Sequence, residues 1–144
     1  MHFITRERIH VDRIATAWAI RRFVDPGATF EFVPRTRDVA GAAGIAFDLR
    51  GAELGHRQGR CTLEALIDKY EIADEALRRM ARIIRAADLP QEDPLPMVAP
   101  GVLAIFDGIR DGCNSDEERL SNGFVVCDAL YTYCRQTTEA AFEL

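Results

Sequence analysis

Residues 2–33 read HFITRERIHVDRIATAWAIRRFVDPGATFEFV, and the order of patterns inside them decides the fold. His2-Phe-Ile-Thr5 is a short β-rich run. Val11 to Val24 carries Ile14, Ala17, Trp18 and Phe23 near helical spacing, so it reads as one helix. Asp25-Pro26-Gly27 breaks that helix, because a proline pushes the residue before it out of the helical region and the glycine opens a turn. Thr29 to Val33 is β-rich again. Strand, helix and strand in this order make the two strands parallel if they share a sheet, with a right-handed crossover.

Working outward, Ile45-Ala-Phe-Asp48 is a third short strand that stops on a carboxylate, after a weak helical turn from Arg37 that Gly41 to Gly44 interrupts. Beyond Gly59 the period becomes helical. Thr62 to Tyr70 and Asp74 to Ala87 read as helices, the second with Leu77, Met80, Ala81, Ile84 and Ala87 along one face. Leu89 to Pro96 holds three prolines and is the clearest loop. Met97 to Gly112 resumes an apolar helix. Ser115-Asp-Glu-Glu118 fits a capping box that opens a last helix to about Thr137, with Leu120, Phe124, Cys127, Leu130, Tyr131 and Cys134 on one side. The expected fold class is α/β: a small, mostly parallel N-terminal sheet with a crossover helix, then a helical C-terminal half, in a single domain over residues 1–144.

Composition narrows the function. A chain of 144 residues that is 48% hydrophobic can bury one core and is short for two ordinary domains. It has no run of about 18 apolar residues and no basic-then-apolar start, so neither a membrane nor export is indicated and a cytoplasmic location is expected. Cys61, Cys113, Cys127 and Cys134 show no CxxC spacing, which argues for reduced thiols over a zinc ribbon or a redox dithiol. The net charge of −5 hides an asymmetry, since residues 1–60 carry ten arginines against seven acids. Lys69 is the sole lysine, and arginine is the better bidentate partner for oxyanions. An acidic chain of this kind is a poor candidate for nonspecific duplex DNA binding. Base composition of the gene accounts for the arginine excess in the plainer reading, and a small anion near Arg13, Arg57 and Arg60 is the alternative.

In an open parallel sheet, ligands bind just beyond the carboxyl ends of the strands. Asp12 stands at the first strand-to-helix junction, where it would also cap its own helix. Asp48 ends the third strand, where a carboxylate is costly unless paired or coordinating a cation. His56 follows in the loop Gly51-Ala-Glu-Leu-Gly-His-Arg-Gln-Gly59. Together they make a mixed oxygen and nitrogen set suited to divalent manganese, iron or zinc. Asp88 ends a helix, an electrostatically poor place for an acid, and so joins the ligand candidates. His10 shares a face with Asp12 and is a secondary ligand. Glu53 is the candidate catalytic residue, a fourth ligand or the base that activates a metal-bound water. Cys61 precedes a helix start and is either a reactive thiol or a packing residue. Cys127, Cys134, Trp18 and Tyr131 read as core.

The segments Val11-Asp-Arg-Ile-Ala15 with Trp18 and Arg21-Arg-Phe23, Phe47-Asp48, Glu53-Leu-Gly-His56, Arg60-Cys-Thr62, Arg85-Ala-Ala-Asp88 and Asp128-Ala-Leu-Tyr131 resemble the chromate resistance protein family, specifically the ChrB-type C-terminal domain. They span nearly the whole chain. Where the family typically carries Cys-Pro before the tryptophan, this chain has Thr16-Ala17, which argues against an essential thiol there. The resemblance implies a role linked to chromate or oxidative stress. Family members are often longer, with an N-terminal region associated with regulation. A weaker similarity is to DHH-type phosphoesterases, which Asp12, Asp48 and His56 match in order, although Arg57 replaces the second histidine.

Three readings follow. In the first, a chromate-resistance-type domain holds a divalent metal on Asp12, Asp48, His56 and Asp88, with hydrolytic or redox chemistry. In the second, a noncatalytic module binds an oxyanion such as chromate or sulfate through Arg13, Arg57 and Arg60. In the third, these polar residues are caps and salt bridges, and the C-terminal helix forms a homodimer contact.

Overall fold

The computed structural model describes residues 1–39, 43–89 and 96–137. β1 (His2–Arg6) lies in the middle of a three-stranded sheet between β2 (Thr29–Val33) and the two-residue β3 (Ile45–Ala46), and both neighbours run parallel to it. His2 pairs with Thr29 and Phe3 with Ile45, which brings the C-terminal ends of all three strands to one edge. The inward face is aromatic: Phe3 and Phe47 are fully buried, with ring centroids 6.3 Å apart. Gly44 permits the close approach of β3 to β1, since a Cβ there would sit 2.8 Å from the His2 carbonyl oxygen.

The crossover between β1 and β2 is α1 (Val11–Ala19), which continues into a π-helical turn over Ile20–Val24. All nine residues of α1 are buried. It packs against α2 (Thr62–Lys69), α3 (Glu75–Asp88), α4 (Ala99–Gly112) and α5 (Asp116–Gln136), and so forms the axis of the molecule. A helix apolar all round is normal at a core. The polar exceptions here are Asp12, Arg13 and Thr16, and burying such groups is tolerable only with partners.

The fold class agrees with the expectation from sequence, and the differences are local. The third strand ends two residues early: Phe47 makes only a single bridge to Leu54, and Asp48 leaves the strand in a left-handed conformation with φ of 48°. Arg37 closes a tight turn onto Pro34, and the helical turn expected from it runs into residues 40–42, outside the described ones. α4 begins at Ala99, with Pro100 in its first turn, and leaves Met97 exposed. Asp74 and Ser115 cap α3 and α5 by accepting from Leu77 N and Glu118 N. The reciprocal arm of the Ser115 box goes to Asn114 N. Residues 90–95 of the Leu89–Pro96 loop and 41–42 of the Gly41–Gly44 segment lie outside the described residues.

Candidate metal centre

Asp12 does not cap its own helix. His10 occupies the N-cap position of α1 without a side-chain cap bond, and Asp12 faces across to the start of α2. There its Oδ2 accepts from Thr62 N at 2.9 Å and its Oδ1 from Leu63 N at 3.1 Å. One helix therefore supplies the N-terminal carboxylate of another, an arrangement favoured by the exposed amides and partial positive charge of that end. This also changes the reading of Cys61. Asp12 already satisfies the α2 amides, and burial pushes the Cys61 thiol far above its ordinary value, so it is an inert packing residue.

Asp48 reaches the same place from the end of β3. Its left-handed backbone is held by its own N–H, which donates a hydrogen bond to the Leu54 carbonyl at 2.7 Å. The loop from Asp48 then returns His56 to the mouth of the cluster. His56 Nδ1 lies 3.3 Å from Asp48 Oδ1, and its Nε2 lies 2.7 Å from Asp88 Oδ2 and 3.3 Å from Asp12 Oδ2. Both ring nitrogens thus face carboxylate oxygens, which can only accept, so the ring is best matched as imidazolium in the metal-free protein. Burial opposes that charge, but the Asp88 hydrogen bond and the charges of Asp12 and Asp48 outweigh it and raise the His56 pKa. Burial first, then the negative charge of Asp88, lifts the Asp12 carboxyl to about 6.

Asp12, Asp48 and His56 each present a ligand atom, and these atoms lie within 4.8 Å of one another. Asp88, the last residue of α3, closes the group through His56. All four candidate metal ligands are therefore brought together. They line a cavity of about 320 Å³ that Arg6, Arg8, Arg13, Arg110 and His10 share. His10 points elsewhere, with Nε2 2.7 Å from Asp107 Oδ1 on α4. Arg13 joins the cluster by its ion pair to Asp48 Oδ2 at 3.0 Å. The Nε–H lies too far out of line for a hydrogen bond, so this buried donor stays unsatisfied.

Three other candidates lie apart. Glu53 pairs with Lys69 Nζ at 2.7 Å in a separate depression of about 370 Å³, together with Arg57 and Arg60. Arg60 is occupied by Asp68 and Glu64. The structure does not bring Glu53 to the ligand cluster: its carboxylate is held instead by Lys69 at the end of α2. A larger groove of about 540 Å³ runs between the end of α1 and α5. Its floor is the buried Trp18 and Tyr131, over which Arg22 lies 4.9 Å from the Tyr131 ring, and it gathers no set of ligand-type groups. Sequence reasoning missed Arg6, Arg8 and Arg110. The strand-end rule that selected Asp48 would also have selected Arg6 at the end of β1; Arg110, on α4, carries no local signal.

The family profile described as "ChrB, C-terminal domain" matches residues 3–134. Among curated proteins, the chain is 34% identical over 131 residues to "Protein ChrB" of Cupriavidus metallidurans, an alignment covering 90% of this chain and 39% of that protein. The chain thus spans about two fifths of the length of that relative. No solved structure matches it.

Proposed function

The chain belongs to the ChrB C-terminal domain family, and from that premise we propose that it is a chromate-resistance-associated domain that binds a divalent transition metal through Asp12, Asp48, His56 and Asp88. One observation carries this reading: ligand atoms from Asp12, Asp48 and His56, far apart in sequence, lie within 4.8 Å of one another in a charged cavity. Oxygen and imidazole donors suit manganese, iron or zinc. The ion would replace the proton that holds His56 among three carboxylates, since metal ligands bind deprotonated.

Metal-assisted hydrolysis is the reaction class that this environment supports best, because a bound ion lowers the pKa of a coordinated water and polarises an acceptor oxygen. Glu53 is committed to Lys69 outside this cavity and His10 turns its Nε2 to Asp107, so neither is placed by its present contacts to take a proton from such a water. The test is elemental analysis of protein purified without chelator, beside His56→Ala and Asp48→Asn variants. The second substitution removes the charge yet tolerates a φ of 48°. Near-stoichiometric manganese, iron or zinc that falls at least about tenfold in both variants is expected. Wild-type protein that carries no metal and takes up none of the three when they are added would end this reading.

A further inference from the structure

The same cavity has a cationic wall apart from the four candidate ligands. Arg6, at the end of β1, is half-buried, lines the cavity and makes no ion pair or side-chain hydrogen bond among the described residues. Its surroundings include Arg13, whose like charge, after burial, lowers the Arg6 pKa. Arg13 is about 10% exposed and keeps a buried Nε–H without a hydrogen-bond acceptor. A buried donor left unmade costs about 1–3 kcal/mol, and more for a charged group. Two guanidinium groups lining one cavity, Arg6 unpaired among the described residues and Arg13 ion-paired to Asp48 without an aligned hydrogen bond, are therefore a reason to look for an anion. Arg8 and Arg110 stand at the rim, partly occupied by Asp107 and Asp111.

The lining is also informative in what it holds. Every residue around this cavity is an arginine, an aspartate or a histidine. Ligand pockets for organic molecules are mainly apolar, so a wall of this kind selects a small, compact, highly charged group. We infer that Arg6 and Arg13, with Arg8 and Arg110 at the rim, form a subsite for a tetrahedral oxyanion dianion that bridges the metal and the arginines. The inference rests on the metal reading above and adds to it the class of ligand. Anion and metal then bind as a coupled pair. Each raises the affinity of the other by the same factor, as linkage requires.

Calorimetry on the whole chain tests this, with manganese and sulfate as probes. Sulfate is expected to bind the manganese-loaded protein at least about tenfold more tightly than the metal-free protein, and saturating sulfate to tighten manganese by a similar factor. Arg6→Gln is expected to lose about tenfold in sulfate affinity while manganese affinity stays within about threefold. Arg110→Gln, at the exposed rim, serves if the first variant fails to fold, with a loss of about threefold. Arg60→Gln, in the separate depression, behaves as wild type. Glycerol phosphate in place of sulfate separates the sources: tighter binding assigns the subsite to a phosphate monoester, equal binding to a free oxyanion. If manganese binds but sulfate affinity ignores both the metal and the two cavity variants, the anion subsite is overturned and the metal reading stands. If manganese does not bind, both fall.

Discussion

Asp12 serves two structures at once, and its substitutions separate them from those of its neighbours. Asp12→Ala leaves the Thr62 and Leu63 amides without their acceptors, at an expected cost of about 2 kcal/mol or more. His56→Ala, on an exposed loop, is expected to cost under about 1 kcal/mol while removing metal equally well. Urea unfolding of the two metal-free variants checks this, and equal losses of stability would place the function of Asp12 in the cluster alone. The pH dependence follows from the same pair. The Asp12 carboxyl rises from 3.8 to about 6 in the folded chain, so between those values the folded state holds a proton that the unfolded state has released. Stability therefore falls as pH rises through that window. His56 is raised as well; its contribution is complete below its unfolded value of 6.5 and is lost as pH rises through the folded one. Both effects have the same sign. Metal binding runs the other way, because its ligands must lose those protons. Thermal unfolding from pH 5 to 8 is expected to show metal-free protein softening as the manganese-induced shift grows. A metal shift larger at pH 5 than at pH 8 would contradict this.

At the scale of elements, α1 is where sequence and structure meet most closely. Ile14, Ala17 and Trp18 announced a helix by their spacing, and all three are buried. What spacing cannot show is how near another helix comes. Gly123 of α5 faces Ile14, and a Cβ there would sit 2.4 Å from Ile14 Cγ2. Gly123→Ala must therefore push apart two packed helices, at an expected cost of about 1–3 kcal/mol. Ile14→Leu, which moves the branch one carbon outward, should recover part of that loss in the double variant, measured as a nonadditive term in urea unfolding. Full additivity would mean that the two positions do not meet. The same limit explains the partial legibility of the site. Asp48 and His56 were readable because each ends or follows a short strand, and strand ends carry a general rule. Asp12 was readable as a helix-start acid but assigned to the wrong helix, because the helix it caps begins 50 residues later in the chain. Arg110 was invisible because only the packing of α4 brings it to the cavity.

Across the whole molecule, the four ligand candidates come from the start of α1, the end of β3, the following loop and the end of α3. An ion there would fasten these segments together more firmly than the ion pairs that already join them, and it would bind the folded chain alone. At a free metal concentration a hundred times its dissociation constant, such an ion adds about 2.7 kcal/mol. Chelation should therefore lower the unfolding midpoint, and the loop from Asp48 to Arg60 should feel it first. That loop has short bridges rather than long strands and is tied to the cluster only by Asp48 and His56. It also carries Arg50, Arg57 and Arg60 as tryptic sites. Trypsin is expected to cut there several-fold faster in chelated protein than in manganese-loaded protein, with little change at Arg78 on α3, since local opening is most frequent where few buried contacts hold the chain. If chelation leaves both the midpoint and the cleavage pattern as they were, the ion has no part in fastening these segments, and the cluster is a set of salt bridges around an imidazolium.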